Sequence, residues 1–410
     1  MNVPKIRLKG FDGEWELVPF SKVVTLRRGL TYSPSNMSEN GVRVLRSCSI
    51  NEDTFVTSDD DVFVKANCVN IPLVNDGDIL ITAANGSPRL VGKHCVVKNP
   101  TAEPMAHGGF MLLASSDDSN FLNASMGSSW FEDFKRIGIA GGNGAIGNLN
   151  KNELENFLFY VPTSKAERNQ IAEYFKNLDA MIEAAGMKIA SLKQTKQACL
   201  QQMFPQPGET TPRIRFKGFE CEWQVKKIGE ISERTKGKGY SKSDLREDGT
   251  PIVLYGRLYT KYSFVIDGVD TYAIPTQGAV FSTGNEVVIP ASGETAEDIA
   301  IAAAIKQKGV ILGGDLNILT FANEFDPSFM ALCITNSGTH YELSRFAQGK
   351  SVVHLRNNDI ANGHVVCPAL AEQQQIAAFF LNMDKQIRIQ EQRLEKLKQI
   401  KSACLNNMFV

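Results

Sequence analysis

The feature that most constrains this chain is an internal duplication. Residues 4–15 read PKIRLKGFDGEW and residues 212–223 read PRIRFKGFECEW, with eight of twelve positions identical, whereas average residue usage would give about one. Residues 167–204 and 372–409 match again, at 17 of 38 positions. Most of the sequence between these repeats differs. The chain is therefore expected to fold as two related halves with dissimilar interiors.

The shared segments 167–204 and 372–409 are predicted to be long helices. Apolar residues recur every seven positions in two interleaved series, which is the a and d pattern of a coiled coil. The common heptad frame and length favour packing of the two helices against each other, while the alternative is two amphipathic helices that each pack on their own half. The positions expected at the helix–helix contact are Ile171, Phe175, Leu178, Ile182, Ile189, Leu192, Ile376, Phe380, Met383, Ile387, Leu394 and Leu397.

These patterns predict an α+β fold in four segments: a globular α/β block at 1–161, a helix at 162–205, a second globular α/β block at 206–367 and a second helix at 368–410. Helices of about 38 residues would be roughly 57 Å long. We expect the two helices to pack as an antiparallel coiled coil, which would relate the halves by a pseudo-two-fold axis. The linker MFPQPGETTPRI contains three prolines and a glycine, which end the first helix. Ser164 and Glu167, which follow Pro162, predict a capping box at its start.

A glycine motif raises the question of a nucleotide site. Gly142, Gly144 and Gly147 spell G-x-G-x-x-G, the fingerprint of a dinucleotide-binding turn. The aligned positions in the second half are Gln348, Lys350 and Val353, none of which offers the backbone freedom that such a turn requires. We therefore interpret the stretch as a loop that both halves place alike with different side chains.

Composition narrows the functional class. The chain is 43% hydrophobic and 22% charged with a net charge of −1, and its eight cysteines and five histidines show no metal-ligand spacing. No apolar run long enough for a membrane span and no signal-peptide core occur, so we expect a cytoplasmic protein without a membrane partner. No Pro-Pro dipeptide, Walker A loop or hydrolase motif occurs either, so we expect no catalytic residues, metal or cofactor.

The loops of both blocks instead suit nucleic acid. Arg and Lys match phosphates and guanine edges, while Asn and Gln match adenine edges. The candidate DNA-binding residues of the first block are Arg27, Arg28, Arg43, Arg46, Lys93, His94, Lys135, Arg136, Asn143 and Asn148. Those of the second block are Lys236, Lys238, Tyr240, Lys242, Arg257, Lys261, Arg345, Gln348, Lys350, His354 and Arg356. The loops before Leu149 and Leu355 are the strongest candidates, because they share one frame and differ in chemistry.

The repeated residues at the start of each half have a different interpretation. Trp15 and Trp223, together with Phe11 and Phe219, are expected to anchor the cores of their blocks. For Arg7 and Arg215 two roles stay open, a phosphate clamp and a structural salt bridge.

The order of these motifs resembles a known family, the DNA-specificity subunits of type I restriction-modification systems. The resemblance rests on RLKGFDGEW and RFKGFECEW at the block starts, on NLNKNELENFLFYVP and HLRNNDIANGHVVCP at the block ends, and on ERNQIAEYF and EQQQIAAFF at the helix starts. It spans essentially the whole chain. The block interiors do not match any family pattern, so individual DNA contacts do not follow from it.

The resemblance implies a non-catalytic adaptor. Two target recognition domains would each read one half of a bipartite duplex target, and two spacer helices would separate them and dock two methyltransferase subunits, which a restriction/translocase subunit joins. S-adenosylmethionine, ATP and Mg²⁺ would belong to those partners. Two other classes remain to be tested: a coiled-coil scaffold that binds proteins only, and a self-sufficient methyltransferase or endonuclease.

Overall fold

The computed structural model describes residues 2–99, 102–140 and 147–410, which form two compact units. Unit 1 comprises Met1–Gly186 and Gln392–Val410, and unit 2 comprises Met187–Glu391. Each unit contains strands, short helices and a part of both long helices, so the mixed α and β composition predicted from the sequence is confirmed. The division at 161, 205 and 367 differs from these limits, because both long helices contribute to both units.

Unit 1 is built on a four-stranded sheet with antiparallel neighbours, in the order β10 (His94–Val96), β8 (Ile79–Thr82), β12 (Met111–Ser115) and β2 (Thr25–Arg28). Its central strand β8 has the sequence ILIT and is buried along its whole length, as expected for a strand covered on both faces. The strands are β1 (Glu16–Pro19), β2 (Thr25–Arg28), β3 (Met37–Ser38), β4 (Val42–Leu45), β5 (Ile50–Asn51), β6 (Thr54–Phe55), β7 (Phe63–Val64), β8 (Ile79–Thr82), β9 (Ala84–Asn85), β10 (His94–Val96), β11 (Met105–His107), β12 (Met111–Ser115), β13 (Ile139–Ala140), β14 (Gly147–Leu149) and β15 (Leu158–Val161). The helices that begin in this unit are α1 (Ser119–Met126), α2 (Ser129–Gly138), α3 (Lys151–Asn156) and the long α4 (Lys165–Met203).

Unit 2 is built on a five-stranded sheet in the order β17 (Ser232–Lys236), β25 (Leu316–Phe321), β21 (Glu286–Pro290), β23 (Ala303–Ile305) and β19 (Val265–Ile266). Helix α8 (Pro327–Asn336) packs on this sheet and starts in the way its sequence suggests, with Pro327 in its first turn and the Asp326 carboxylate accepting a hydrogen bond from the Phe329 amide at 2.9 Å. The strands are β16 (Gln224–Lys227), β17 (Ser232–Lys236), β18 (Thr250–Val253), β19 (Val265–Ile266), β20 (Tyr272–Ala273), β21 (Glu286–Pro290), β22 (Ser292–Gly293), β23 (Ala303–Ile305), β24 (Ile311–Leu312), β25 (Leu316–Phe321), β26 (Val353–His354) and β27 (His364–Cys367). The helices are α5 (Ile228–Ile231), α6 (Arg257–Thr260), α7 (Ala296–Ile299), α8 (Pro327–Asn336), α9 (Gly338–Phe346), α10 (Asn357–Asn362) and the long α11 (Leu370–Asn407).

The two units share one topology despite their different sequences. The antiparallel series β10-β8-β12-β2 of unit 1 has its counterpart in β23-β21-β25-β17 of unit 2. The parallel pair β4 and β11 corresponds to the parallel pair β18 and β24. The first and last strands also pair alike, β1 with β15 and β16 with β27. The duplication seen at the block ends therefore extends through the interiors, where little sequence identity remains.

The long helices run antiparallel to each other inside each unit. In unit 1 the Tyr174 hydroxyl lies 3.2 Å from the Cys404 sulfur, and Lys401 pairs with Asp179 at 2.9 Å. In unit 2 Lys193 pairs with Glu391 at 2.7 Å, and Lys196 pairs with Asp384. Residue numbers rise along α4 while they fall along α11, which is the antiparallel sense expected from the sequence. Lys196 and Lys401 are equivalent positions of the repeat, as are Asp384 and Asp179.

The packing of the helices combines the two alternatives that the sequence left open. In unit 1 Leu178, Ile182 and Ala185 form a small cluster with Leu394 and Leu397, as helix–helix packing predicts. Other predicted contact residues pack into the block cores instead. These are Ile171 and Phe175 in unit 1, and Ile376, Phe380 and Met383 in unit 2. Ile189 and Ile387 are buried and Leu192 is half-buried. A coiled coil along the full helix length stays a prediction.

The C-terminal ends of both helices fill equivalent sites in the two cores. Phe204, one residue after α4, contacts the Trp223 ring with a centroid distance of 6.5 Å in unit 2. Phe409, just after α11, contacts the Trp15 ring at 6.2 Å in unit 1. Both tryptophans are buried, as predicted for core anchors. The core of unit 1 is thus completed by a residue from the other end of the sequence, and the core of unit 2 by the equivalent residue after α4.

The segments that precede Trp15 and Trp223 are tied to these helix ends. The Ile6 amide donates to the Asn407 carbonyl at 2.8 Å, and the Ile214 amide donates to the Gln202 carbonyl at 3.0 Å. The backbone joins each block to a helix end in the same way in both units. Phe11 and Phe219, which were expected to be buried with the tryptophans, are half-buried.

Candidate nucleic-acid interface

One edge of each unit holds the loops that the sequence ranked highest. In unit 1 Asn148 of β14 lies opposite Ala84 of β9, and the Leu149 amide donates to the Ala83 carbonyl at 2.8 Å. In unit 2 His354 of β26 lies opposite Ser292 of β22, and the Leu355 amide donates to the Ala291 carbonyl at 3.1 Å. Asn148 and His354 are exposed and their two chain neighbours are buried in both units. The same backbone frame therefore presents an amide in one unit and an imidazole in the other.

A loop next to this two-stranded ladder is also repeated. The Phe110 carbonyl accepts hydrogen bonds from the amides of Ala83 at 2.9 Å and Ala84 at 3.0 Å. The equivalent Asp315 carbonyl accepts from the Ala291 amide at 2.8 Å. Phe110 is 68% exposed, and Asp315 is exposed with a positive φ of 57°. We call residues 83–85, 108–110 and 147–149 of unit 1, and residues 291–293, 313–315 and 353–355 of unit 2, the reading edge of each unit.

Glycine pairs allow two chain segments to cross closely beside each reading edge. A Cβ atom on Gly29 would lie 1.9 Å from the Gly108 carbonyl oxygen, and one on Gly237 would lie 1.7 Å from the Gly313 carbonyl oxygen. Any side chain at Gly29 or Gly237 would collide with main chain, so this crossing requires glycine in both units. The crossing holds the end of β2 or β17 against the reading edge.

A cleft of about 1330 Å³ opens beside the reading edge of unit 2. Ser292, Gly293 and Asp315 of the reading edge line it. The cleft is also lined by four residues that the sequence predicted as DNA contacts, namely Tyr240, Lys242, Arg257 and Lys261. Two further tyrosines, Tyr255 and Tyr259, and the exposed Val352 add aromatic and apolar surface to the lining.

Not all cations of the cleft are free to meet a phosphate. Arg257 and Lys261 both pair with Asp270, and these two cations hold the pKa of the Asp270 carboxyl well below its usual range. The Tyr240 hydroxyl accepts a hydrogen bond from the Thr276 amide at 2.7 Å. Lys242 is exposed in the cleft wall. The remaining candidates of unit 2 are exposed outside the cleft lining, and they are Lys236, Lys238, Arg345, Gln348, Lys350, His354 and Arg356.

Several cations predicted to contact DNA in unit 1 are used inside the fold instead. Arg27 pairs with the buried Asp78 at 3.1 Å. Arg43 is held between Asp61 at 2.7 Å and Glu103 at 3.1 Å, with its guanidinium 4.6 Å from the Phe63 ring centre. These ion pairs require acidic residues that are distant in the sequence, so the sequence grouped Arg27 and Arg43 with exposed cations.

The other candidates of unit 1 have mixed surroundings. His94 is buried against the Phe131 ring and hydrogen-bonds Asn123, and burial lowers its pKa, so it is placed in the core rather than at a surface. Lys135 pairs with Glu132 at 2.6 Å, and Arg136 pairs with Asp133 on the same helix. Arg46 and Lys93 are half-buried, whereas Arg28 and Asn148 are exposed. Asn143, like Gly142 and Gly144 of the glycine motif, lies outside the described residues.

Arg7 and Arg215 form structural ion pairs, which settles the choice between the two roles considered for them. Arg7 binds both carboxylate oxygens of Glu167 at 2.7 and 2.8 Å, and Arg215 binds both oxygens of Glu372 at 2.9 and 2.8 Å. Both glutamates are buried. Since the Glu167 carboxylate is occupied by Arg7, it does not close the predicted capping box, of which only the bond from the Glu167 amide to Ser164 is present, at 3.4 Å.

A repeated motif that sequence reasoning missed follows the glycine crossing in both units. Residues 32–36 read YSPSN and residues 240–244 read YSKSD. Each forms a short 3₁₀ turn in which the side chain of Asn36 or Asp244 accepts a hydrogen bond from the amide of Ser33 or Ser241, at 2.8 and 2.7 Å. The offset of 208 residues equals that of the first repeat, so comparison of the two halves could have found it.

Within the described ranges, no group of three or more potential metal ligands comes together. None of the helices that the structure describes is long and apolar enough to cross a bilayer.

His107 immediately precedes the reading edge of unit 1 and is expected to make the free energy of unfolding depend on pH. It is buried, its Nε2 lies 3.2 Å from the Arg27 carbonyl oxygen, and burial lowers its pKa to about 4. The unfolded chain binds a proton near pH 6.5 and the folded chain does not, so the free energy of unfolding should fall by about 3 kcal/mol as the pH drops from 6.5 to 4. Denaturant titrations over this range should show a smaller pH slope for His107→Asn. His354→Asn, at an exposed position, is the control, and an unchanged slope in the His107 variant would contradict the assignment.

The sequence is similar to one family model and to two curated proteins. Residues 220–399 match the family model of the type I restriction modification DNA specificity domain. The chain is 21% identical over 273 residues to the type I restriction enzyme MjaVIII specificity subunit of Methanocaldococcus jannaschii, which covers 64% of this chain and 63% of that relative. It is 27% identical over 227 residues to the StySPI specificity subunit of Salmonella potsdam, covering 53% of this chain and 48% of the relative. The chain thus aligns with less than two thirds of either relative.

Solved structures agree on the fold over nearly the whole chain. The S subunit of a type I restriction-modification system from M. genitalium superposes with a TM-score of 0.60 at 12% identity, covering 100% of this chain and 99% of that one. A chain from a structure on complex assembly and conformational transition of the type I R-M system gives a TM-score of 0.52 at 15% identity, covering 95% and 96%. The family model and the two curated relatives confirm the resemblance found in the sequence, and the solved structures agree with it in fold.

Proposed function

We propose that this chain is the non-catalytic DNA-reading subunit of a type I restriction-modification complex. Unit 1 would read one half of a bipartite duplex target and unit 2 the other half. The observation that carries this proposal is the repeated reading edge, in which one backbone frame presents Asn148 and Phe110 in unit 1 but His354 and Asp315 in unit 2. Two equal frames with unlike side chains are what two readers of different sequences require.

The duplex itself favours this arrangement. The two strands of DNA are related by two-fold axes, so two domains in opposite orientation match two half-sites. We infer that the helix pair sets the half-site spacing and docks two methyltransferase subunits, which a restriction/translocase subunit joins. S-adenosylmethionine, ATP and Mg²⁺ would be bound by those partners.

Among the candidate residues, the exposed cations are the best phosphate contacts. They are Arg28 in unit 1, and Lys236, Lys238, Lys242, Arg345, Lys350 and Arg356 in unit 2. Arg27, Arg43 and His94 are omitted from this role because their side chains are engaged within unit 1.

Exchange of one block tests the division of labour between the units. Residues 1–160 would be replaced by the corresponding block of another specificity subunit, and methylated adenines would be mapped genome-wide with the methyltransferase subunits present. We expect a bipartite motif in which only one half changes, because each unit reads its half-site alone. Deletion of the gene should abolish methylation at the motif. If the exchange alters both halves, or neither, the assignment of one half-site to each unit is wrong.

The dependence of binding on salt separates DNA reading from a protein-only scaffold. The purified chain with its methyltransferase partner should bind duplex DNA with an affinity that falls steeply with salt, as counterions are released from phosphates. The double variant Lys236→Ala/Lys238→Ala should reduce the slope of log K against log [salt] by about 1 for each lysine that meets a phosphate. Lys308→Ala, an exposed lysine outside the reading edge, is the control. An affinity for duplex DNA that does not change with salt concentration, or no binding of DNA at all, would favour the protein-only scaffold. Methyl transfer by the isolated chain would favour a self-sufficient enzyme.

A further inference from the structure

Among the equivalent positions at which the two reading edges differ, two are exposed in both units, and their side chains differ in chemistry. In unit 1 these positions hold Asn148 and Phe110, and in unit 2 they hold His354 and Asp315. We propose that the side chains of Asn148 and Phe110 read an A·T pair in the first half-site, and that those of His354 and Asp315 read a G·C pair in the second. This inference rests on the proposed function and specifies which residues determine the bases.

The backbone places each pair of side chains on one ladder. Asn148 lies opposite Ala84, whose amide donates to the Phe110 carbonyl at 3.0 Å. His354 lies opposite Ser292, whose hydroxyl donates to the Asp315 carboxylate at 3.3 Å. In each unit one strand of the ladder, β9 or β22, therefore lies between the two proposed base-reading residues. All four residues are exposed, so none of them is required to fill a core.

The chemistry of unit 1 matches adenine and thymine. The amide of an asparagine can donate to N7 and accept from the N6 amino group of adenine at the same time, and a phenyl ring makes apolar contact with the thymine methyl group. Phe110 is 68% exposed, so its ring is available for such a contact. In unit 2 a charged carboxylate occupies the equivalent position.

The chemistry of unit 2 matches guanine and cytosine. An imidazole N–H can donate to the N7 or O6 acceptors of guanine, and a carboxylate accepts from the N4 amino group of cytosine. Asp315 lines the cleft of about 1330 Å³ beside the reading edge, where Lys242 also lies. A carboxylate is repelled by phosphates, so a base amino group is the part of a duplex that Asp315 could contact favourably.

Single substitutions at the reading edge would test the inference on the chain in complex with its methyltransferase subunits. The probe is a duplex library with both half-sites randomised, from which bound sequences are selected and counted. For the unaltered chain we expect an A·T pair at a strongly selected position of the first half-site and a G·C pair in the second. Asn148→His should change the base preference at one position of the first half-site by about 5- to 150-fold and leave the second half-site unchanged. His354→Asn should do the reverse.

Two further variants separate base reading from folding. Asp315→Asn keeps the size of the side chain and tolerates the positive φ, and it should weaken selection of cytosine in the second half-site only. Lys350→Ala should lower affinity for all sequences alike, because a phosphate contact carries no sequence information. Melting temperatures equal to that of the unaltered chain are expected for all four variants, since the residues are exposed.

The outcomes distinguish the inference from the function on which it rests. Enrichment of a bipartite sequence that Asn148→His and His354→Asn leave unchanged would overturn the inference while the proposed function stands. Selection of G·C pairs throughout the first half-site would also overturn it. If no duplex is enriched by the unaltered complex, the proposed function itself fails.

Discussion

Phe409→Ala is expected to destabilise unit 1, the unit that contains the N-terminal block, and to leave unit 2 intact. The Phe409 ring is buried among Trp15, Phe121 and Phe175, with centroid distances of 6.2, 5.9 and 5.7 Å. Removal of a buried phenylalanine ring costs about 3–5 kcal/mol, because apolar burial is reduced and a cavity remains. Hydrogen exchange of the β12 amides should accelerate accordingly, whereas exchange of the β21 amides in unit 2 should not.

Phe204→Ala is the matched variant in the other half. Its ring is buried in unit 2 against Trp223, Phe329 and Phe380, so the effect on the two units should be reversed. Phe110→Ala, which removes an exposed ring, should change stability by less than about 0.5 kcal/mol. Equal loss of protection in both units for Phe409→Ala and Phe204→Ala would show that these rings do not act locally.

Gly29→Ala and Gly237→Ala are expected to have effects of similar size by a different mechanism. A methyl group at Gly29 would lie 1.9 Å from a carbonyl oxygen and 2.4 Å from its carbon, both of Gly108. At Gly237 the corresponding distances to Gly313 are 1.7 and 2.7 Å. These atoms belong to the main chain and cannot rotate away, so the crossing segments must separate. The cost should be about 3 kcal/mol or more, at the upper end of overpacking effects.

Urea denaturation measures this effect, and each unit supplies its own control. Gly86→Ala in unit 1 and Gly268→Ala in unit 2 replace glycines that have no atoms within 4 Å of the new methyl group and no positive φ. These variants should leave the midpoint nearly unchanged. A crossing variant with the midpoint of its control would mean that the two segments are not packed so closely.

The duplication and the long helices could be predicted from sequence because identical residues recur at a fixed offset and apolar residues recur every seven positions. The matching ends showed two related halves, and the heptad pattern placed α4 and α11. The use of individual cations could not be predicted. Arg43 forms ion pairs with Asp61 and Glu103, which are 18 and 60 residues away, and no local sequence pattern predicts such ion pairs. Arg7 illustrates the same limit, because its partner Glu167 is 160 residues away and could be read from sequence only as half of a capping box.

The reading edges were foreseen in part. The positions before Leu149 and Leu355 stood out because they align in frame, and the structure places them in equivalent ladders. Phe110 and Asp315 were missed, since a phenylalanine is ordinarily assigned to the core and an aspartate to a solvated turn. The aligned glycines 108–109 and 313–314 just before them were the available signal, because they fix the two halves in register at this point.

The bonds between Ile6 and Asn407 and between Ile214 and Gln202 have a consequence for the order of the segments. Both junctions join a helix end to the start of a block, and only the second of them is also connected covalently, through residues 203–213. A circular permutant, in which a copy of that linker joins residue 410 to residue 2 and the chain is opened between residues 206 and 211, would retain every packing contact described for either unit. The order in which the segments are covalently connected can therefore be changed without changing the packing within either unit.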